Sequence, residues 1–324
     1  MRIKGLIGGI ALLATVCSCG KSTEAKAETA IDGSEEAVME ISFDADSAYR
    51  YVDQMVAFGP RVPNTEAHRR GGDWLVGKLH EFGLTPIEQK ATLTAFDGTA
   101  LQMRNIFAQI NPQAEERTLL LAHWDCRPWA DADPDPEKRS QPVDGANDGA
   151  SGVGVILEIA RQLASDKPAT GVDILFVDAE DWGEESNDES WAMGTRYFAE
   201  HPIIDGYAPT EAILLDMVGS PDARFGYEYN SFQAARPLLQ AIWSKAAALG
   251  YNQFHTGFGG AVTDDHVELI KKGIPTVDII DYRSDSPYGG FDPVWHTAND
   301  GMQNISRKTL EAVGKTLMAY IKQK

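Results

Sequence analysis

Five segments of this 324-residue chain end or follow expected strands with acids or histidines: HWD at His123 to Asp125, GANDGASG around Asp148, FVDAEDW with Glu180 and Asp181, LLDMVG around Asp216, and VWHT around His296. One such segment would mean little, because loop ends are polar in any fold. Five carry more weight. Successive strand ends place residues from distant positions on one edge of a sheet, so carboxylates and imidazoles that are far apart in sequence come to face one another. Carboxylates gathered there need a counter-charge, and a metal ion is the natural one.

The elements able to hold such an edge follow from periodicity. Apolar runs at 105–110, 118–122, 172–177, 212–215 and 276–280 read as strands buried on both faces. Helical patterns at 153–164, 191–200, 234–248 and 267–272 alternate with them. The expected fold class is therefore α/β, a doubly wound, mostly parallel sheet with helices on both faces. Two helices come first, one with Ala48, Val52, Met55 and Val56 on a single face, the other over 65–82 and stopped by Gly83. A last helix starts near Ser306, with Leu310, Val313, Leu317, Tyr320 and Ile321 at helical spacing. Segments 127–147, acidic and proline-rich, and 283–293 interrupt the alternation; each precedes a candidate ligand and is expected to form the pocket rim. Hydrophobic residues at 43% supply the material for a two-faced core.

Arg2 and Lys4, an apolar stretch over 5–16 and a cysteine pair read as a processing signal. Cys19, after Val16, Cys17 and Ser18, resembles a lipobox cysteine. The expected organisation is a lipoprotein signal peptide over 1–19, a flexible tether over 20–43 rich in Ala, Glu, Ser and Thr, and a single catalytic domain over 44–324. The chain would then face the periplasm in the cell envelope and meet membrane only through its lipid. Cys17 would leave with the signal peptide, so Cys126 would find no thiol partner in the chain. A net charge of -19 argues against a nucleic-acid partner.

From FGPRVP near Phe58 to its end, the chain resembles the zinc aminopeptidase superfamily and, within it, the glutaminyl cyclases of animals and Bacteroidetes. The most specific stretches are GGAVTDDHVELIKKGIPTVDII, over 259–280, and FDPVWHT, over 291–297. The resemblance implies one zinc per chain held by Asp148, Asp181 and His296, a donor set without cysteine that suits a catalytic ion with an open position. It also implies Glu180 as general acid and base, and Asp216 and Asp264 as acids sharing a hydrogen bond near the leaving group, with Asp265 the poorer match. Trp295 and Phe291 match pocket-lining aromatics. The implied reaction converts N-terminal Gln of peptides and exported proteins to pyroglutamate with release of ammonia.

Two departures qualify the match. Asp181 stands where the pattern usually has Glu, and Ser186 where the animal enzymes carry a tryptophan, leaving Trp182 and Trp191 as candidates for that wall. In two-zinc aminopeptidases the counterparts of His123 and Asp216 bind a second metal, with that of Asp148 bridging. Both are present, so a two-zinc aminopeptidase is the alternative. His68, His80, His201, His255 and His266 read as structural.

Overall fold

The computed structural model describes residues 41–286 and 290–324. The expected signal peptide, its Cys19 and most of the tether lie outside the described residues. Residues 41–324 form one compact unit. It opens with helices α1 (Ala45–Val56) and α2 (Glu66–Glu81). Thr65 caps α2 by accepting from the amide of His68, and Gly83 follows its end with φ +79°.

Six strands make the main sheet: β1 (Ile87–Thr94), β2 (Ala100–Ile110), β3 (Arg117–His123), β4 (Gly171–Val177), β5 (Glu211–Asp216) and, numbered eighth in chain order, β8 (Thr276–Ile280). Their order is β1-β2-β4-β3-β5-β8. β4, β3, β5 and β8 run parallel, while β2 pairs antiparallel with both β1 and β4. Helices α3 (Ala150–Ser165), α4 (Met193–Glu200), α5 (Tyr229–Ala248), α6 (Asp265–Lys271) and α7 (Arg307–Lys322) cover it, and β6 (Phe225–Glu228) pairs with β7 (Phe254–Gly260) in a small parallel sheet.

The two faces follow from the two-residue period of a strand. Leu120 and Ala122 of β3, Ile174 and Phe176 of β4, and Ile213 and Leu215 of β5 pack into a core with residues of α1, α3, α5 and α7. The alternate residues Leu119, Leu121, Leu175, Val177, Ala212 and Leu214 pack with Phe198 of α4 and Leu269 of α6. Each such leucine, fully buried, contributes roughly 1.5–3 kcal/mol of transfer free energy. Helix α3 lies so close to β5 that a Cβ on Gly152 would stand 2.1 Å from the carbonyl oxygen of Leu215, which leaves room for glycine alone.

The expected α/β class, the central strands and helices on both faces are all present. The differences are local. β1 escapes the sequence pattern because IEQKATLT is mostly polar and has no buried residue, as suits an edge strand. β6 and β7 are short, and β7 is glycine-rich. α5 begins at Tyr229 rather than 234 and bends at Ala235, φ -138°, two residues before Pro237, which lacks the amide needed for the helical ladder. Among the described residues, no helix is long and apolar enough to cross a membrane.

Candidate active site

The parallel strands bring the flagged residues to one sheet edge. His123 ends β3, Asp216 ends β5, and Glu180 and Asp181 follow β4. Asp148 stands two residues before α3, while His296 comes from the loop beyond β8. All six are buried.

Asp148 joins two groups of donors. Its Oδ2 stands 3.6 Å from His296 Nε2, which is 3.2 Å from Asp181 Oδ1. Its Oδ1 stands 3.0 Å from His123 Nε2, which is 3.2 Å from Asp216 Oδ1. In each group the donor atoms lie within 4.8 Å of one another. Two donors about 2.1 Å from a tetrahedral ion are about 3.4 Å apart, so the spacings around His296 fit a zinc-sized cation held by Asp148, Asp181 and His296. Asp181 reaches this position despite its short side chain.

The backbone carries strain here. Ala179, Met217 and His296 adopt positive φ of 53°, 47° and 52°, beside or at the site. Such conformations cost about 1–3 kcal/mol each and persist where surrounding contacts impose them. The neighbouring ligand-bearing turns are held by buried carboxylates. Asp125 accepts from the amides of Glu180 and Asp181 at 3.2 and 3.3 Å, and Asp300 from those of Asn147 and Asp148 at 2.8 and 3.0 Å. Gly149, φ +101°, turns the chain after Asp148 where a Cβ would stand 2.7 Å from the carbonyl of Asp125.

Arg127 and Asp131 were hidden within the segment read as rim. Arg127, 1% exposed, donates from Nη1 to the carbonyl of Asp181 at 3.1 Å and to its Oδ1 at 3.3 Å. Asp131 pairs with Arg127 and puts Oδ1 3.5 Å from His296 Nδ1. No spacing rule pointed to either residue. Their role follows only from the loop folding back over the site.

The cavity above the cluster measures about 650 Å³ and is lined by Asp148, Glu180, Asp181, Asp216, Asp264 and His296 among others. Trp295, Phe291 and Trp191 also line it. The Trp295 ring stacks on His296 at 3.6 Å and on Phe291 at 4.4 Å between centroids. Trp191 lies parallel to His296 at 6.0 Å, with the Arg127 guanidinium 4.8 Å from its centroid. Trp182 instead meets Trp129 and donates to Asp97. Of the two candidates, Trp191 is the one that lines the cavity.

Burial raises the Glu180 carboxyl well above its usual range, and the charges of Asp181, Asp264 and Asp265 push the same way against the opposing effect of His123. Burial also lifts Asp216 to about 7, helped by Asp148 and Asp264 and opposed by its contact with His123. Asp216 and Asp264 turn to different partners. Asp216 meets His123, whereas Asp264 Oδ1 accepts from the amide of Asp265 at 2.5 Å and caps α6. Of the doubled acids, Asp264 lines the cavity. His68 is held between Asp178, 2.9 Å away, and the Trp124 ring, whereas His266 sits in a second buried polar cluster with Glu228.

A doubly wound sheet with a carboxylate-histidine metal cradle at the parallel strand ends defines a metal-dependent hydrolase or transferase of the exopeptidase kind. Residues 105–321 match the model of peptidase family M28, and the chain belongs to that family. A crystal structure of Porphyromonas gingivalis glutaminyl cyclase is 50% identical, covers 87% of this chain and 98% of its own, and superposes with a TM-score of 0.85. A Zn-dependent exopeptidase from Parabacteroides distasonis is 48% identical over 87% of this chain and 99% of its own, with a TM-score of 0.85. Bovine glutaminyl-peptide cyclotransferase is 24% identical over 67% of this chain, which spans 65% of the length of that relative.

Proposed function

We propose that this protein is a zinc-dependent glutaminyl-peptide cyclotransferase, closing the N-terminal Gln of peptides and exported proteins to pyroglutamate and releasing ammonia. The observation that carries the reading is that the two most specific motif stretches converge: Asp264 from one, and Phe291, Trp295 and His296 from the other, line the same cavity as Glu180. The likeness to a solved glutaminyl cyclase along 98% of its length supports it.

Asp148, Asp181 and His296 would hold one catalytic zinc, which supplies Lewis-acid polarisation of the substrate's γ-carbonyl when bound. The protein's side chains do the rest. The aromatic walls fold the Gln side chain back so that its α-amine reaches the γ-carbon, a proximity contribution. Glu180, its proton affinity raised by burial, takes a proton from the attacking amine as the C–N bond forms. It returns that proton to the amide nitrogen, which departs as ammonia. Asp216 and Asp264 line the same cavity, where Asp216 is placed to hydrogen-bond the departing nitrogen and Asp264 adds negative charge to the wall facing the amine. The acidic lining also draws in a cationic N-terminus.

A two-metal aminopeptidase is a second reading, favoured by the His123–Asp148–Asp216 group and its shared Asp148. A Gln-initiated peptide separates the two. Cyclisation releases ammonia and leaves the residue count unchanged, whereas free glutamine in the products would overturn the cyclase reading.

The leader supports a lipid-anchored, periplasm-facing location through Cys19, with membrane met only by the lipid and no nucleic-acid partner. Loss of labelled acylation in Cys19→Ala is the expected result, and unchanged labelling would refute it.

A further inference from the structure

Behind the Asp264 wall of the cavity lies a second group of donors outside the proposed zinc cradle. Asp264, His266 and Asp278 present ligand atoms within 4.8 Å of one another, at 4%, 0% and 0% exposure. Asp264 caps α6, His266 is on its first turn, and Asp278 is at the middle of β8. Asp264 Oδ2, His266 Nδ1 and both carboxylate oxygens of Asp278 have no hydrogen-bond partner. Such buried polar atoms are costly to leave unpaired, and a cation among them would pair the carboxylates and the imidazole together.

The hydrogen bonds of Glu228 fix which face of His266 is available. The Glu228 carboxylate accepts from the amides of Asn230 (3.0 Å), Ser231 (2.6 Å) and Val262 (3.1 Å) and from Ser231 Oγ (2.7 Å). A carboxyl receiving four donors acts as an ionised acceptor. His266 Nε2, 3.1 Å from Glu228 Oε2, must therefore carry the proton of that contact. Nδ1 is then the nitrogen open to a cation, and it faces Asp278, whose Oδ2 stands 3.6 Å away. That distance is too long for a hydrogen bond and close to the span of about 3.4 Å between two donors on a tetrahedral ion. A histidine held through its other nitrogen by a carboxylate is also the usual support of a metal-binding imidazole.

We propose that Asp264, His266 and Asp278 form a second, fully buried site for a divalent transition cation such as zinc, separate from the cradle at Asp148. Two carboxylates and one imidazole suit such an ion better than calcium or magnesium, which take all-oxygen shells of six or more. The ion compensates the carboxylates of the Asp264 wall and ties α6 to β8. It requires neither the cyclase nor the peptidase reading.

The test is zinc content by mass spectrometry on the purified zinc-loaded protein, together with an anomalous difference map at the zinc edge. The expected map has one peak among Asp264, His266 and Asp278 besides the one at Asp148, Asp181 and His296. Asp278→Asn should lose one zinc per chain and keep the Asp148 peak, whereas His296→Ala should show the reverse. A wild-type map without the inner peak overturns the proposal even if Asp278→Asn fails to fold. So does a second peak lying instead at His123 and Asp216. Ammonia release from a Gln-peptide is read separately, so its absence refutes the cyclase reading and leaves the inner site standing.

Discussion

Arg127 grips Asp181 twice from a single nitrogen, Nη1 donating to the backbone carbonyl at 3.1 Å and to carboxylate Oδ1 at 3.3 Å. The same guanidinium donates to Asp131 from Nε and Nη2, and Asp131 faces His296 Nδ1. One buried cation thus orients two of the three proposed zinc ligands. Lysine cannot reproduce a planar fork. Arg127→Lys is expected to weaken zinc retention about 10- to 100-fold, the usual effect of losing a group that orients a ligand. Competition with a chromophoric chelator measures this, and wild-type retention would show that the fork does not orient the ligands.

Glu180 is placed to move protons and does not belong to either donor group around Asp148. Glu180→Gln keeps the volume and removes the base. Zinc content should stay at the wild-type value while kcat falls about 10²- to 10⁴-fold. A variant with near wild-type turnover would remove Glu180 from the mechanism.

What the sequence made legible divides along a physical line. Strands β3, β4 and β5 are buried throughout and carry central apolar runs that read directly, as does the spaced apolar face of α7. His123, Glu180, Asp181 and Asp216 are legible because they sit at or just after such runs, whereas Asp148 and His296 follow the irregular segments 127–147 and 283–293 and stand out through their motifs. Arg127, Asp131 and Asp300 were not singled out, because their partners are 54, 165 and 152 residues away in Asp181, His296 and Asp148. Local periodicity holds no trace of such pairings. The same holds for Glu228, whose importance arises from joining α5, β7 and α6 in space.

Gly149 turns the chain between Asp148 and α3 with φ +101°. A methyl group there would meet the Asp125 carbonyl at 2.7 Å and His123 Cε1 at 3.1 Å. Gly149→Ala is expected to cost about 1–3 kcal/mol from the backbone conformation alone, and to displace Asp148 as the contact is relieved. Thermal unfolding should show a Tm several degrees lower, with reduced zinc retention. An unchanged Tm would mean that this turn relaxes freely.

Trp295 is stacked between Phe291 and His296, so its indole both walls the cavity and covers a proposed ligand. Aromatic pairs contribute about 0.5–1.5 kcal/mol each beyond area burial. Losing two such contacts in Trp295→Ala should lower kcat/KM for a Gln-peptide about 10- to 100-fold. Zinc content reports whether His296 has been disturbed as well. A full complement of zinc with a raised KM assigns the loss to substrate packing, while unaltered kinetics would take Trp295 out of the binding wall.

His123 decides between the two readings of the site, because Asp148 offers one oxygen to each histidine: Oδ1 to His123 and Oδ2 to His296. In a dinuclear peptidase, His123 is a ligand and its removal takes one zinc. In the cyclase, it is a partner that holds Asp148 and Asp216 in place while the cradle keeps all three of its own donors. His123→Ala should therefore leave zinc content unchanged and lower turnover, since Asp216 loses the contact that steadies it. The anomalous peak at Asp148, Asp181 and His296 should persist. Loss of one zinc per chain in this variant, with that peak intact, would establish the second metal at His123 and make the aminopeptidase reading the stronger.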